Sequence, residues 1–217
     1  MSAVPFLIST QCAPQSLVEK YRPRDLADFA GLSKPKELMR WLAERPFSSA
    51  WIFVGPSVTG KTSMALALGE AIPAEVQHVA SQECNVARVE STWANCFYHP
   101  SAGKRFWLNL IDEADLMSPA AQNSLLSKLD STTPAPDTLW VFTCNDTSRF
   151  EPRFLSRCKV VEFSNYGIQK DATDLLARIW DGETGGKTPP NLARIVKEAN
   201  GNIRAALMAL EMEIMLA

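Results

Sequence analysis

The run Gly55-Pro56-Ser57-Val58-Thr59-Gly60-Lys61-Thr62 constrains this chain more than any other stretch. It fits the pattern G-x-x-x-x-G-K-[ST], a loop whose successive backbone N–H groups close around phosphate oxygens. Gly55 and Gly60 let the backbone curl, Lys61 brings a point charge to the β- and γ-phosphates, and the Thr62 hydroxyl suits Mg²⁺. The flanks agree with the pattern. Residues 51–54 form an apolar run that predicts a buried strand entering the loop, and residues 62–71 predict a helix whose N-terminus faces the phosphates. The expected fold is therefore α/β, with a nucleotide site where the strand gives way to the helix.

The rest of the chain extends that expectation. Residues 76–80, 105–111, 139–144 and 159–163 read as strands, and 34–43, 86–97 and 118–130 as helices. Ser33 is the expected N-cap of the first of these helices, with Pro35 in its first turn, and Ser118-Pro119 opens the third. Strands alternating with helices of this length predict a parallel sheet covered on both faces. After Phe163 the pattern changes. Helices are expected at 171–180, 191–200 and 202–215, with a turn-rich stretch at 182–190, and no strand candidate remains. The expected division is a phosphate-loop core over residues 1–164, beginning with a loose leader at 1–14, and a small all-helical domain over 165–217.

Composition narrows the function classes. At 217 residues the chain can bury one good core plus a small satellite, and 46% hydrophobic and 21% charged residues suit a soluble protein. No stretch approaches a membrane span, and the N-terminus lacks the basic region of a signal peptide. The five cysteines (Cys12, Cys84, Cys96, Cys144 and Cys158) form no C-x-x-C pair and read as a reduced set of small core or surface residues. His78 and His99 are too few for a metal site and read as structural. A net charge of −2 argues against a generally basic nucleic-acid coat and leaves room for a local basic patch or a surface shared among subunits. The expected location is cytoplasmic, or nuclear in a eukaryote, or the host cytoplasm for a virus.

A nucleotide hydrolase also needs carboxylates for Mg²⁺ and for water. Asp112 and Glu113 supply them at the end of the apolar strand 105–111, at the carboxyl edge where parallel sheets bind ligands. Asp112 is placed to hold Mg²⁺ with Thr62, and Glu113 to orient or deprotonate the attacking water. Asn145 follows the strand 139–144 and reads equally as a group that positions the water or touches the γ-phosphate, or as a turn residue.

Taken together, Glu19-Lys20-Tyr21-Arg22-Pro23, GPSVTGKT, Ile111-Asp112-Glu113-Ala114-Asp115, Asn145, Ser156-Arg157-Cys158 and Gly201-Asn202-Ile203-Arg204 occur in the order found in AAA+ sliding-clamp loader ATPases. The chain resembles the replication factor C small subunits and the large-subunit ATPase of T4-like phage loaders from about residue 17 to 207. The resemblance implies an AAA+ core followed by a helical lid, with ATP and Mg²⁺ as ligands. By the same resemblance, Val18, Arg22 and the loop from Gly55 to Ser63 line the nucleotide pocket. Asp112 and Glu113 are its Walker B acids, Asn145 is sensor 1 and Arg204 is the sensor 2 arginine of the lid. Arg157 is the finger that reaches a neighbouring subunit's ATP, and Arg88 is a weaker candidate for DNA. The implied partners are other loader subunits, a sliding clamp and primer–template DNA. The implied activity is an ATPase stimulated by partners and DNA that loads the clamp during replication, and no membrane is involved.

Two features depart from that pattern. Ser57-Val58 stands where such loops usually carry Pro-Gly or similar, and a β-branched residue tolerates positive φ poorly. The chain also ends just past the lid without a collar domain, as either a truncated piece or a natural form. Residues 207–216 are rich in Leu and Met, and suit either the lid's own core or an edge that docks a partner. Two other readings therefore stand beside the clamp-loader ATPase. One is a non-catalytic ATP-binding assembly subunit that lends Arg157 to a partner, and the other is an AAA+ ATPase of recombination or repair.

Overall fold

The computed structural model describes residues 15–130 and 135–216. The expected leader at 1–14, with Cys12, lies outside these. The order of elements is α1 (Leu17–Lys20), α2 (Ser33–Glu44), β1 (Ser49–Val54), α3 (Lys61–Ala71), β2 (Ala74–Ala80), α4 (Val86–Asn95), β3 (Phe106–Asp112), α5 (Pro119–Lys128), β4 (Thr138–Cys144), α6 (Pro152–Leu155), β5 (Lys159–Glu162), α7 (Gln169–Thr184), α8 (Leu192–Glu198) and α9 (Ile203–Leu216). All strand pairs are parallel, in the order β2-β3-β4-β1-β5.

The side-chain alternation of the strands feeds two cores. In β1, Trp51 and Phe53 join α2 and α3 (Met39, Leu42, Met64, Leu68) on one face, while Ala50 and Ile52 join Val89 of α4, Leu125 of α5 and Phe154 of α6 on the other. Every residue of β4 is buried. Both faces are thus covered, as a parallel sheet requires. A third core joins α7, α8 and α9 through Leu176, Ile179, Val196, Ala206 and Leu210.

Most expected elements occur within a few residues of their expected bounds, and the exceptions have local causes. Ser33 is the first residue of α2 rather than its cap. Leu32 occupies the cap position in the left-handed region (φ 55) and makes no side-chain cap bond. The expected turn over 182–190 starts late, because α7 runs on through Thr184 and ends at Gly185 (φ 66). Glycine takes that C-terminal geometry without a Cβ clash. Ser118, Asn85 and Asn191 cap α5, α4 and α8 through their side chains.

The segment before α2 bridges the two sides: Leu26 and Phe29 are buried in the core of the sheet with Phe53 and Phe163, while α1 packs on the helices. Leu17 is buried in the third core, its N–H donates to Glu211 Oε1 at 3.0 Å, and the Gly31 N–H donates to Asp171 Oδ2 at 3.0 Å. Among the described residues, no helix is long and apolar enough to cross a membrane.

Candidate functional site

β1, β3 and β4 end side by side, and their carboxyl ends carry the chemistry. The loop leaving β1 turns where glycine is required. A Cβ on Gly55 would lie 2.1 Å from the Phe163 carbonyl oxygen, and Gly60, at φ 89, precedes α3. Val58 adopts φ 65, so the β-branched residue is held in the left-handed region that its side chain disfavours.

Lys61 is only 8% exposed. Its Nζ donates to the carbonyls of Gly55 (2.7 Å) and Pro56 (2.8 Å) and to Asn145 Oδ1 (3.3 Å). Burial lowers its pKa, and the neighbouring Cys144, Asp112, Asp115 and Glu113 pull in the opposite direction. Asn145 Oδ1 also accepts from Ser57 Oγ at 3.3 Å, which ties the end of β4 to the loop.

The acids stand opposite. Thr62 Oγ1 donates to Asp112 Oδ1 at 2.8 Å, Thr143 Oγ1 donates to the same oxygen, and His78 Nε2 lies 3.7 Å from Asp112 Oδ2. Glu113 is exposed and adopts φ 53, and its N–H donates to Thr143 Oγ1 at 3.1 Å. Thiols lie in and beside the strands, with Cys84 and Cys144 buried and Cys158 half-buried. Burial pushes Cys84 up to about 11 and Cys144 and Cys158 up to about 12, so all three stay neutral at physiological pH.

These groups line one cavity of about 640 Å³ between the sheet edge and the helical core. Residues 57–63, Asp112, Glu113 and Asn145 line it, together with Val18, Arg22 and Arg204. Arg22 Nε donates to Ser63 Oγ at 3.2 Å. Gly55 and Pro56 contribute through the carbonyls that hold Lys61. Gly55 and Pro56 are thus not among the lining residues themselves, and Arg157 and Arg88 lie elsewhere on the molecule. Arg157 follows α6, exposed, with its guanidinium on the Arg153 carbonyl (2.8 Å) and beside Asp130 (3.5 Å). Arg88 is exposed on the first turn of α4.

Sequence reasoning missed several lining residues. His78, read as structural, borders the cavity beside Asp112, and Thr143 bridges the two acids. Tyr21, Ile168, Leu175, Ile203 and Leu207 supply an apolar wall. No local signal marked the first two: His78 comes beside the acids only through strand register, pairing with Leu110 two positions before Asp112.

Comparison with known proteins identifies the family and the fold. Residues 51–166 match the ATPase family associated with various cellular activities (AAA). The replication factor C small subunit of Halobacterium salinarum is 26% identical over 89% of this chain and 61% of its own length. The replication factor C large subunit of Thermococcus kodakarensis is 30% identical over 89% of this chain and 39% of its own. The chain thus spans less than two thirds of each of these relatives. Among solved structures, the Thermotoga maritima RuvB Holliday junction branch migration motor superposes with a TM-score of 0.70 at 18% identity, covering 88% of this chain and 64% of that one. With a family match across more than half its length and a phosphate loop facing two acids, the chain belongs to the ATPase family associated with various cellular activities, and its similarity within that family is to replication factor C subunits.

Proposed function

We propose that this chain is the ATPase part of a clamp-loader-type subunit. It would bind ATP in the cavity, hydrolyse it at subunit interfaces, and thereby drive loading of a sliding clamp onto primer–template DNA. One observation carries the reading. The phosphate loop, both acids, Asn145 and Arg204 face a single cavity, while Arg157 is exposed outside it.

In this reading the protein divides into a core over residues 1–164 and a helical lid over 165–217, and ATP spans the two. Val18 and Arg22 border the base and sugar, residues 55–63 wrap the phosphates, and Arg204 reports the γ-phosphate to the lid. The facing hydroxyl of Thr62 and carboxylate of Asp112 are hard oxygen donors of the kind Mg²⁺ takes, so these two residues would hold it. When bound, that ion neutralises charge on the β- and γ-phosphate oxygens. Glu113 takes a proton from water as the water oxygen attacks the γ-phosphorus. The bond to the bridging oxygen then breaks, and ADP and phosphate leave. Lys61 and Asn145 steady the transferred group. A planar guanidinium in permanent charge, Arg157, stabilises it from the neighbouring subunit. Arg88 on α4 would meet DNA phosphates.

A mixing experiment tests this. Glu113→Gln should keep ATP binding and lose turnover, because an amide cannot take the proton. In assemblies with partner subunits, Arg157→Ala should silence the neighbour's site by about 10³-fold and leave its own intact. Full turnover by Glu113→Gln, or self-silencing by Arg157→Ala, would sink the scheme.

The strained φ of Val58 favours a second reading, a non-catalytic subunit that binds ATP structurally and lends Arg157 to a partner. In that case Glu113→Gln would change nothing in the assembly, while Arg157→Ala would still silence the partner. A recombination or repair role gains no weight from RuvB, whose 18% identity speaks to the fold alone.

A further inference from the structure

Thr143 lies at the penultimate position of β4 and is 2% exposed. Its one hydroxyl serves both acids at the end of β3. Oγ1 donates to Asp112 Oδ1 and accepts the Glu113 N–H at 3.1 Å. Thr62 donates to the same Asp112 oxygen, so hydroxyls from α3 and β4 saturate one side of the carboxylate, and Oδ2 is turned toward His78.

Glu113 needs such support. Its φ of 53 lies in the left-handed region, where a residue with a long side chain persists only when its surroundings hold it. The N–H bond to Thr143 is one such hold. A β-branched side chain in a strand is stiff at χ1, so the Thr143 hydroxyl is itself fixed in direction. The acids are thereby tied to the neighbouring strand, in addition to the bond from the Leu116 N–H to the Glu113 carbonyl (2.9 Å) within their own loop.

We propose that Thr143 is a positioning residue of the nucleotide site, its single hydroxyl fixing the Asp112 carboxylate and the Glu113 backbone together before the metal–nucleotide complex arrives. The proposal rests on the ATP-binding reading above. Thr143 acts through the two acids, and the metal-dependent part of ATP binding is where its loss registers.

The test measures ATP dissociation constants with Mg²⁺ and with EDTA for the wild-type chain, Thr143→Val and Thr143→Ser, alongside thermal unfolding. Valine keeps the shape and β-branching, and serine keeps the hydroxyl. Thr143→Val should bind metal-free ATP within about threefold of wild type yet lose about tenfold of the gain that Mg²⁺ confers, as expected for an outer-shell partner. Thr143→Ser should restore most of that gain. Equal losses with Mg²⁺ and with EDTA would mean a merely structural role and overturn the proposal. So would an undiminished Mg²⁺ gain in Thr143→Val, or failure of Thr143→Ser to restore it. A wild-type chain that binds no ATP under either condition is a separate outcome. It removes the ATP-binding reading and this proposal with it.

Discussion

At the scale of single residues, the site is built from positions with little freedom. Gly55 is the extreme case, because the space a Cβ would need is taken by the backbone oxygen of Phe163, which cannot swing away as a side-chain tip can. Gly55→Ala must push β1 away from the segment after β5, or break the Phe163 N–H to Val54 carbonyl bond of 2.7 Å beside it. The expected loss is about 3 kcal/mol or more, visible as a lower urea midpoint with an unchanged slope. A midpoint within error of wild type would show that the loop opens at little cost. Gly55 was legible in the sequence because the phosphate-loop pattern names it. So were Lys61, Thr62, Asp112 and Glu113, since their residue types and spacing follow from phosphate chemistry. Thr143 and His78 were not, because a threonine or histidine in a strand looks the same whether or not it abuts a carboxylate. The roles of both depend on parallel register between strands far apart in the chain.

At the scale of elements, the strands and most helices were legible because apolar runs and capping residues are local signals. The attachment of α1 was not. Its ties are long-range. Leu17 bonds to Glu211 on α9, while the Tyr21 hydroxyl (2.5 Å) and Lys20 ammonium (2.6 Å) both bond to Glu183 on the last turn of α7. Glu183 fell in a stretch expected to be a turn, where no partner could be assigned. The Lys20 and Tyr21 hydrogen bonds hold the Glu183 carboxyl below its usual value of 4.5, while burial and the same carboxylate push Tyr21 up to about 12. A carboxylate depressed in the folded state contributes stability that is present above its unfolded pKa and lost as pH falls through the folded one. Glu183→Gln should therefore lower the melting temperature by about 2 °C at pH 7, a modest effect because Lys20 is half exposed and solvent screens the pair. The gap between wild type and variant should close at and below the depressed folded pKa. A gap that persists unchanged in acid would assign the loss to packing rather than to the ionised pair.

At the scale of the whole molecule, the cavity is bounded by groups from two separate cores. Residues 57–63 and the acids stand on the sheet, and Ile203, Arg204 and Leu207 stand on the first two turns of α9, packed with α7 and α8. Sequence order alone could not place them together, since the loop and α9 are separated by most of the chain, and the resemblance to clamp loaders supplied that expectation. A ligand held by both sides stabilises the folded molecule as one unit. At a concentration 100 times its dissociation constant, ATP should add about 2.7 kcal/mol, or roughly 5–10 °C in melting temperature for a chain of this size. Arg204→Ala removes a charged donor at the helical side and leaves the loop untouched. A tenfold weaker affinity would then cut the stabilisation at the same ATP concentration by about half. If Arg204→Ala keeps the full ATP-induced shift, the nucleotide is held by the sheet side alone, and the helices α7 to α9 do not sense it through this arginine. If the shift is halved while the melting temperature without ATP is unchanged, Arg204 is a contact made only when nucleotide joins the two cores, as a lid residue requires.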